Sequence, residues 1–137
     1  MKLLKKVYSG RLKLHGEEDE RTLRAANNYA SSLAGLQKNF KEAKALLRKG
    51  VPLARRILGE GHRLTLKMRL NYAQTLFADT AATLDELHEA VSTLEDATRT
   101  ARQVFGGAHP LTESIERCLQ NARATLRARE TLSPGSA

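Results

Sequence analysis

Phe40, Ala43, Leu47, Gly50, Ala54 and Ile57 step along the chain by 3, 4, 3, 4 and 3 positions, which puts them on one face of an α-helix with polar residues between. Leu87, Ala90, Leu94, Ala97, Ala101 and Val104 repeat those steps 47 positions later. Moved back by 43, the first ladder falls on Leu4, Val7, Arg11 and Leu14, where only Arg11 breaks the apolar run. Shorter words recur in the same frame. Asn28-Tyr29-Ala30 returns as Asn71-Tyr72-Ala73, each six residues after a Thr-Leu pair, Thr22-Leu23 and Thr65-Leu66. Glu42-Ala43 returns as Glu89-Ala90, and Gly59-Glu60-Gly61-His62 as Gly106-Gly107-Ala108-His109. The second period is four residues longer than the first, and the extra length lies between Ala73 and Glu89. It belongs in a connection, so an extended turn is predicted around Asp79 to Thr83.

These patterns predict six helices, roughly 2–14, 20–36, 39–58, 63–79, 83–105 and 110–130. Asn39 with Glu42 and Thr83 with Glu86 have capping-box spacing, while Gly59 and Gly106 stand where a helix would end on a positive-φ residue. Pro52 predicts a bend near Gly50 to Pro52, because it removes a helical hydrogen bond. The last helix departs from the repeat. Its apolar stripe is Leu111, Ile115, Cys118, Leu119, Ala122 and Leu126, as suits a terminal helix that covers a stack. Units that share a core with their neighbours stack into an all-α solenoid of antiparallel hairpins. We expect one such domain over 1–130: a partial repeat 1–16, repeats 17–60 and 61–107, and a capping helix 108–130, followed by a flexible tail 131–137.

Composition narrows the functional classes. The 137 residues carry 23 Lys and Arg against 15 Asp and Glu, a formal charge of +8 that favours acidic partners. Cys118 is the one cysteine and has no partner for an internal disulfide, which fits a reducing, cytoplasmic setting. No apolar run reaches the length of a membrane span. The basic, acid-free first 16 residues lack the apolar segment of a leader. His62 and His109 occupy equivalent linker positions, so repetition explains them better than a metal site shared with His15, His88 and Cys118. No cofactor is implied. Asp85, Glu86, Glu89, Glu95 and Asp96 read as a solvated face, without a nucleophile–base pair, a phosphate loop or a zinc motif, so no enzyme is expected. Basic residues gather at both ends, at Lys2, Lys5, Lys6, Arg11 and Lys13 and at Arg117, Arg123, Arg127 and Arg129. Few aromatic residues are available for base stacking, so nucleic acid is the weaker reading of them.

The unit from Thr22-Leu23 through Asn27-Asn28-Tyr29-Ala30 and Phe40-Lys41-Glu42-Ala43 to Gly59-Glu60-Gly61-His62 resembles the long tetratricopeptide repeat of about 42 residues found in kinesin light chains. Only His109-Pro110 keeps that family's linker form; Asp19-Glu20 and His62-Arg63 depart from it. The resemblance implies a right-handed superhelix whose first helices line a concave groove that holds a peptide. An Asn gripping the peptide backbone falls on Asn28 and Asn71, and helical spacing adds Arg24, Asn27, Ser31, Lys67 and Gln74. We therefore expect a protein-binding adaptor for an acidic peptide. The alternative is the structural end portion of a larger or self-associating solenoid, since the chain opens mid-hairpin and leaves Leu4, Val7 and Leu14 seeking a neighbour.

Overall fold

Residues 2–132 are described by a computed structural model and form six α-helices: α1 (Lys2–His15), α2 (Glu20–Gly35), α3 (Phe40–Leu58), α4 (Arg63–Ala78), α5 (Leu84–Phe105) and α6 (Pro110–Leu132). No strand occurs among the described residues. Each helix lies within two residues of its predicted bounds. The helix α6 runs on through Leu132, so the expected tail begins as helix, and its remainder lies outside the described residues.

Each helix packs on the next, and α2, α4 and α6 also touch one another in a row. In contrast, α3 and α5 both rest on α4 without packing together. The result is the helical solenoid that the repeat predicts, with an inner row of α2, α4 and α6 and an outer row of α1, α3 and α5. The two apolar ladders form the seams. Ala43, Leu47 and Ala54 are fully enclosed, as are Leu87, Ala90, Leu94, Ala97 and Ala101, while the end rungs Ile57 and Val104 reach the surface. Small rungs let the helices approach closely: a Cβ added at Gly50 would stand 2.8 Å from the Met68 methyl of α4. The separate stripe of α6 is buried in full.

The repeat is also written in polar contacts. Asp19, His62 and His109 stand at matching positions, and each accepts a backbone N–H two residues on, at 2.8, 3.0 and 3.1 Å. Asp19 therefore does the capping work that histidine does in the later units. Thr22 donates to the Arg11 carbonyl at 3.2 Å and Thr65 to the Ala54 carbonyl at 3.3 Å, both 11 residues back. Thr112, the third in the series, is buried with its hydroxyl unpartnered among the described residues. Tyr29 donates to Glu42 at 3.1 Å and Tyr72 to Glu89 at 2.5 Å, tying each inner helix to its outer partner.

Two local features explain the irregularities. Of the four extra residues only one lengthens the α4–α5 turn, against the extended turn expected there; the other three lengthen α5, which has 22 residues where α3 has 19. On that turn the Arg129 guanidinium of α6 donates to the carbonyls of Thr80 and Ala82. Ala82 is buried there against Leu87 and Leu126. The helix α3 runs unbroken through Pro52. Proline has no N–H, so the Arg48 carbonyl lacks its helical donor.

Candidate functional site

On the inner row, Arg24, Asn28 and Ser31 are exposed along α2, and Lys67 and Gln74 along α4. Asn27 and Asn71 are half-buried and face each other. Asn71 Nδ2 donates to Asn27 Oδ1 at 2.9 Å and to the Asn27 carbonyl at 3.2 Å, which ties α2 to α4. Its amide nitrogen thus serves the stack. Arg24 is ion-paired along its own helix with Glu20 at 2.6 Å. At the third position of the Asn28 and Asn71 series stands Cys118, whose thiol meets Gln74.

The seven residues expected to line one groove lie around two hollows. Ser31, Asn71 and Gln74 border a hollow of about 190 Å³ between the C-terminal halves of α2 and α4, which Lys38 and Phe40 complete. Arg24 and Asn28 border another of about 180 Å³ beside Val7 and Arg11 of α1. Asn27 and Lys67 line neither. Lys38 escaped the sequence reading because it belongs to the hairpin turn, not to a helix face. It takes a positive φ of 54° just before the Asn39 cap, and so reaches the inner surface.

The outer face carries a larger opening, a cleft of about 500 Å³ between α3 and α5 with Arg69 and Tyr72 of α4 among its lining residues. Arg48 of α3 donates to the Tyr72 hydroxyl at 2.8 Å, and Tyr72 passes its own proton toward Glu89 of α5. Nearby, Lys44 and Glu86 pair at 2.5 Å with both side chains mostly buried. The acids of α5 are therefore not simply a solvated face. Glu86 and Glu89 staple α5 to α3 and α4, and Glu95 reaches Arg123 of α6 at 2.9 Å. Arg69 is 4% exposed, a cation in a position whose counterpart one repeat earlier is Ala26. That alignment of Arg with a buried Ala was the signal available in the sequence.

Ionisation follows these contacts. The Arg21 guanidinium hydrogen-bonded to Asp19 holds that carboxyl down at about 2, and Lys44 lowers Glu86. Burial pushes the Cys118 thiol up to about 11, which keeps it protonated and a poor nucleophile near neutral pH. Burial also raises Tyr72 and lowers Arg69. Many of these polar contacts join one helix to another.

No helix among the described residues is long and apolar enough to cross a membrane. Comparison with curated proteins finds no match. A protein-family model described as "Tetratricopeptide repeat" matches residues 22–64, from the paired Thr22-Leu23 through α3 into the start of α4. The chain therefore carries a tetratricopeptide-type repeat, set within an all-helical stack, and that repeat type points to a protein-interaction module.

Proposed function

We propose that the chain is a non-enzymatic adaptor of the cytoplasm that holds an acidic peptide segment against α2 and α4, in the manner of the long repeats of kinesin light chains. One observation carries this reading. The inner row leaves amides, a hydroxyl and cations exposed on adjacent helices, at Arg24, Asn28, Ser31 and Gln74 around hollows that Lys38 and Arg11 complete with further positive charge, and at Lys67 outside them. Amides donate and accept at once, which suits a peptide backbone of any sequence, while the cations favour acidic side chains. Fluorescence polarisation against a panel of acidic, neutral and basic peptides tests it. Asn28→Ala/Gln74→Ala should weaken acidic peptides about tenfold, the worth of one or two lost hydrogen bonds. Lys67→Glu should reverse the charge preference. Asn71 is the wrong probe, since its removal also cuts the bond to Asn27, and because Gln74 meets the Cys118 thiol the double variant is read beside Asn28→Ala alone. Equal binding of the same peptides by the double variant overturns the assignment.

A second reading is self-association through α1, where Leu3 is 70% and Leu14 77% exposed, with Val7 beside them. Leu4, expected among the exposed rungs, packs instead against the core. Light scattering separates the two: a concentration-dependent mass that Val7→Glu abolishes favours this alternative.

A further inference from the structure

We propose that the cleft between α3 and α5 is a second binding site, independent of the inner row, that takes a glutamate or aspartate side chain of an acidic peptide segment with Arg69 as its principal contact. The two sites lie on opposite sides of α4. Arg69 and Tyr72 are each two residues from Lys67 and Gln74, about 200° around the helix.

Arg69 is almost completely buried yet poorly satisfied. Its ion pairs are Glu60 at 3.5 Å and Asp96 at 4.0 Å, beyond the roughly 2.7–2.9 Å of a charge-assisted hydrogen bond. Both acids are engaged more tightly elsewhere: Glu60 accepts from Arg55 at 2.6 Å, and Asp96 pairs closely with Arg99. A buried guanidinium is costly unless its fork is filled. The stack does not require one there, since Ala26 fills the matching place one repeat earlier. A carboxylate entering the cleft would meet the loosely paired fork of Arg69, with Arg48 and Arg55 at its rim.

The lining also chooses among anions. Arg48, Arg55 and Arg69 face Glu89 and Asp96 across the cleft, with Glu60 beside them and Arg99 behind Asp96. That near balance accommodates one negative charge and disfavours a second, so a planar monoanion is preferred to phosphate. The walls suit a peptide. Leu47, Val51 and Pro52 supply an apolar side, Ser92 and Thr93 a hydroxyl side.

Titrating the isotope-labelled chain with acetyl-Leu-Glu-Leu-amide, followed by NMR, tests the site. We expect saturable shifts at the Arg69 Nε–H and the Ser92 and Thr93 amides, and at least tenfold weaker binding of acetyl-Leu-Gln-Leu-amide. Arg69→Met should abolish the shifts at Ser92 and Thr93. Because that change sits in a buried place, Thr93→Glu serves as a second variant: it puts a carboxylate on the cleft wall and should block the peptide while leaving the rest of the spectrum intact. Asn28→Ala/Gln74→Ala should bind the tripeptide unchanged, which separates this site from the inner row. Inorganic phosphate or acetate binding as well as the tripeptide, equal affinity for the Gln peptide, or undiminished binding by Thr93→Glu overturns the proposal.

Discussion

The groove between α1 and α3 and the cleft between α3 and α5 occupy matching places in successive repeats, yet the first closes to about 20 Å³ and the second opens to about 500 Å³. Their walls differ in side-chain volume. Tyr8 in the first matches Val51 in the second, Leu46 matches Thr93, and Leu53 matches Thr100. Tyr8 stacks on Tyr29 with ring centroids 6.1 Å apart, and the rim is drawn shut by Lys49 with Glu17 at 3.0 Å and by Arg56 with Glu18. In the second, smaller walls leave room and Arg69 replaces Ala26. A helical stack can thus open a cleft between repeats by shrinking a few outward residues while the spacing of its ladder is kept.

The sharpest way to break the comparison is to move the cation across. Ala26→Arg should destabilise the chain by at least about 3 kcal/mol, because the closed groove lacks the volume and its one lining acid, Glu17, is already paired with Lys49. Urea unfolding measures this; a loss under about 1 kcal/mol would mean the two grooves are interchangeable. Carving the first groove into the likeness of the second comes next. Leu46→Thr with Leu53→Thr, both partly buried against the core, should cost about 2–3 kcal/mol together and create a cleft that α3 still borders.

How much of this was legible beforehand follows the same division. Ladders, caps and helix ends came from periodicity, since a rung such as Ala43 or Ala90 must be small wherever two helices touch. The α6 stripe was equally visible; the four extra residues were located between Ala73 and Glu89 but assigned to the turn, whereas three of them extend α5, and nothing in the sequence marked Arg129 as the clamp on that turn. The inner-row residues were placed by helical spacing, yet spacing could not show that Asn71 spends its nitrogen on Asn27. The outer cleft was missed altogether. It arises where Val51, Thr93 and Arg69 come from three different helices, and no single helix face reports a volume shared among three.

A smaller difference runs along the threonine series. Thr65→Val removes the bond to the Ala54 carbonyl and should cost about 1 kcal/mol. Thr112 is enclosed with an unpartnered hydroxyl, so Thr112→Val should be neutral or stabilising by up to about 1 kcal/mol. Thermal midpoints of the two variants shifting in the same direction by the same amount would show that the third junction copies the second after all.

The mildest contrast lies at the mouths of the units, where Asp19 caps α2 while His62 and His109 cap α4 and α6. The Asp19 carboxyl is held at about 2, first by the Arg21 side chain and then by the Arg21 backbone N–H. A folded-state value below the ordinary 3.8 means that the charged form is favoured by the fold. The stabilisation is therefore complete above about pH 4 and lost as pH falls from there through 2. An imidazole cap works differently, because its Nδ1 accepts only while unprotonated. Asp19→Asn keeps an acceptor at the cap without the charge, so the variant should lose less stability than the parent chain between pH 4 and pH 2. Carbon-detected NMR of the Asp19 carboxyl should give a midpoint near 2. An ordinary midpoint near 4, or parallel stability curves for the two chains, would mean that the Asp19–Arg21 contact is too mobile at the surface to hold the charge, and that the first unit is capped no differently from the others.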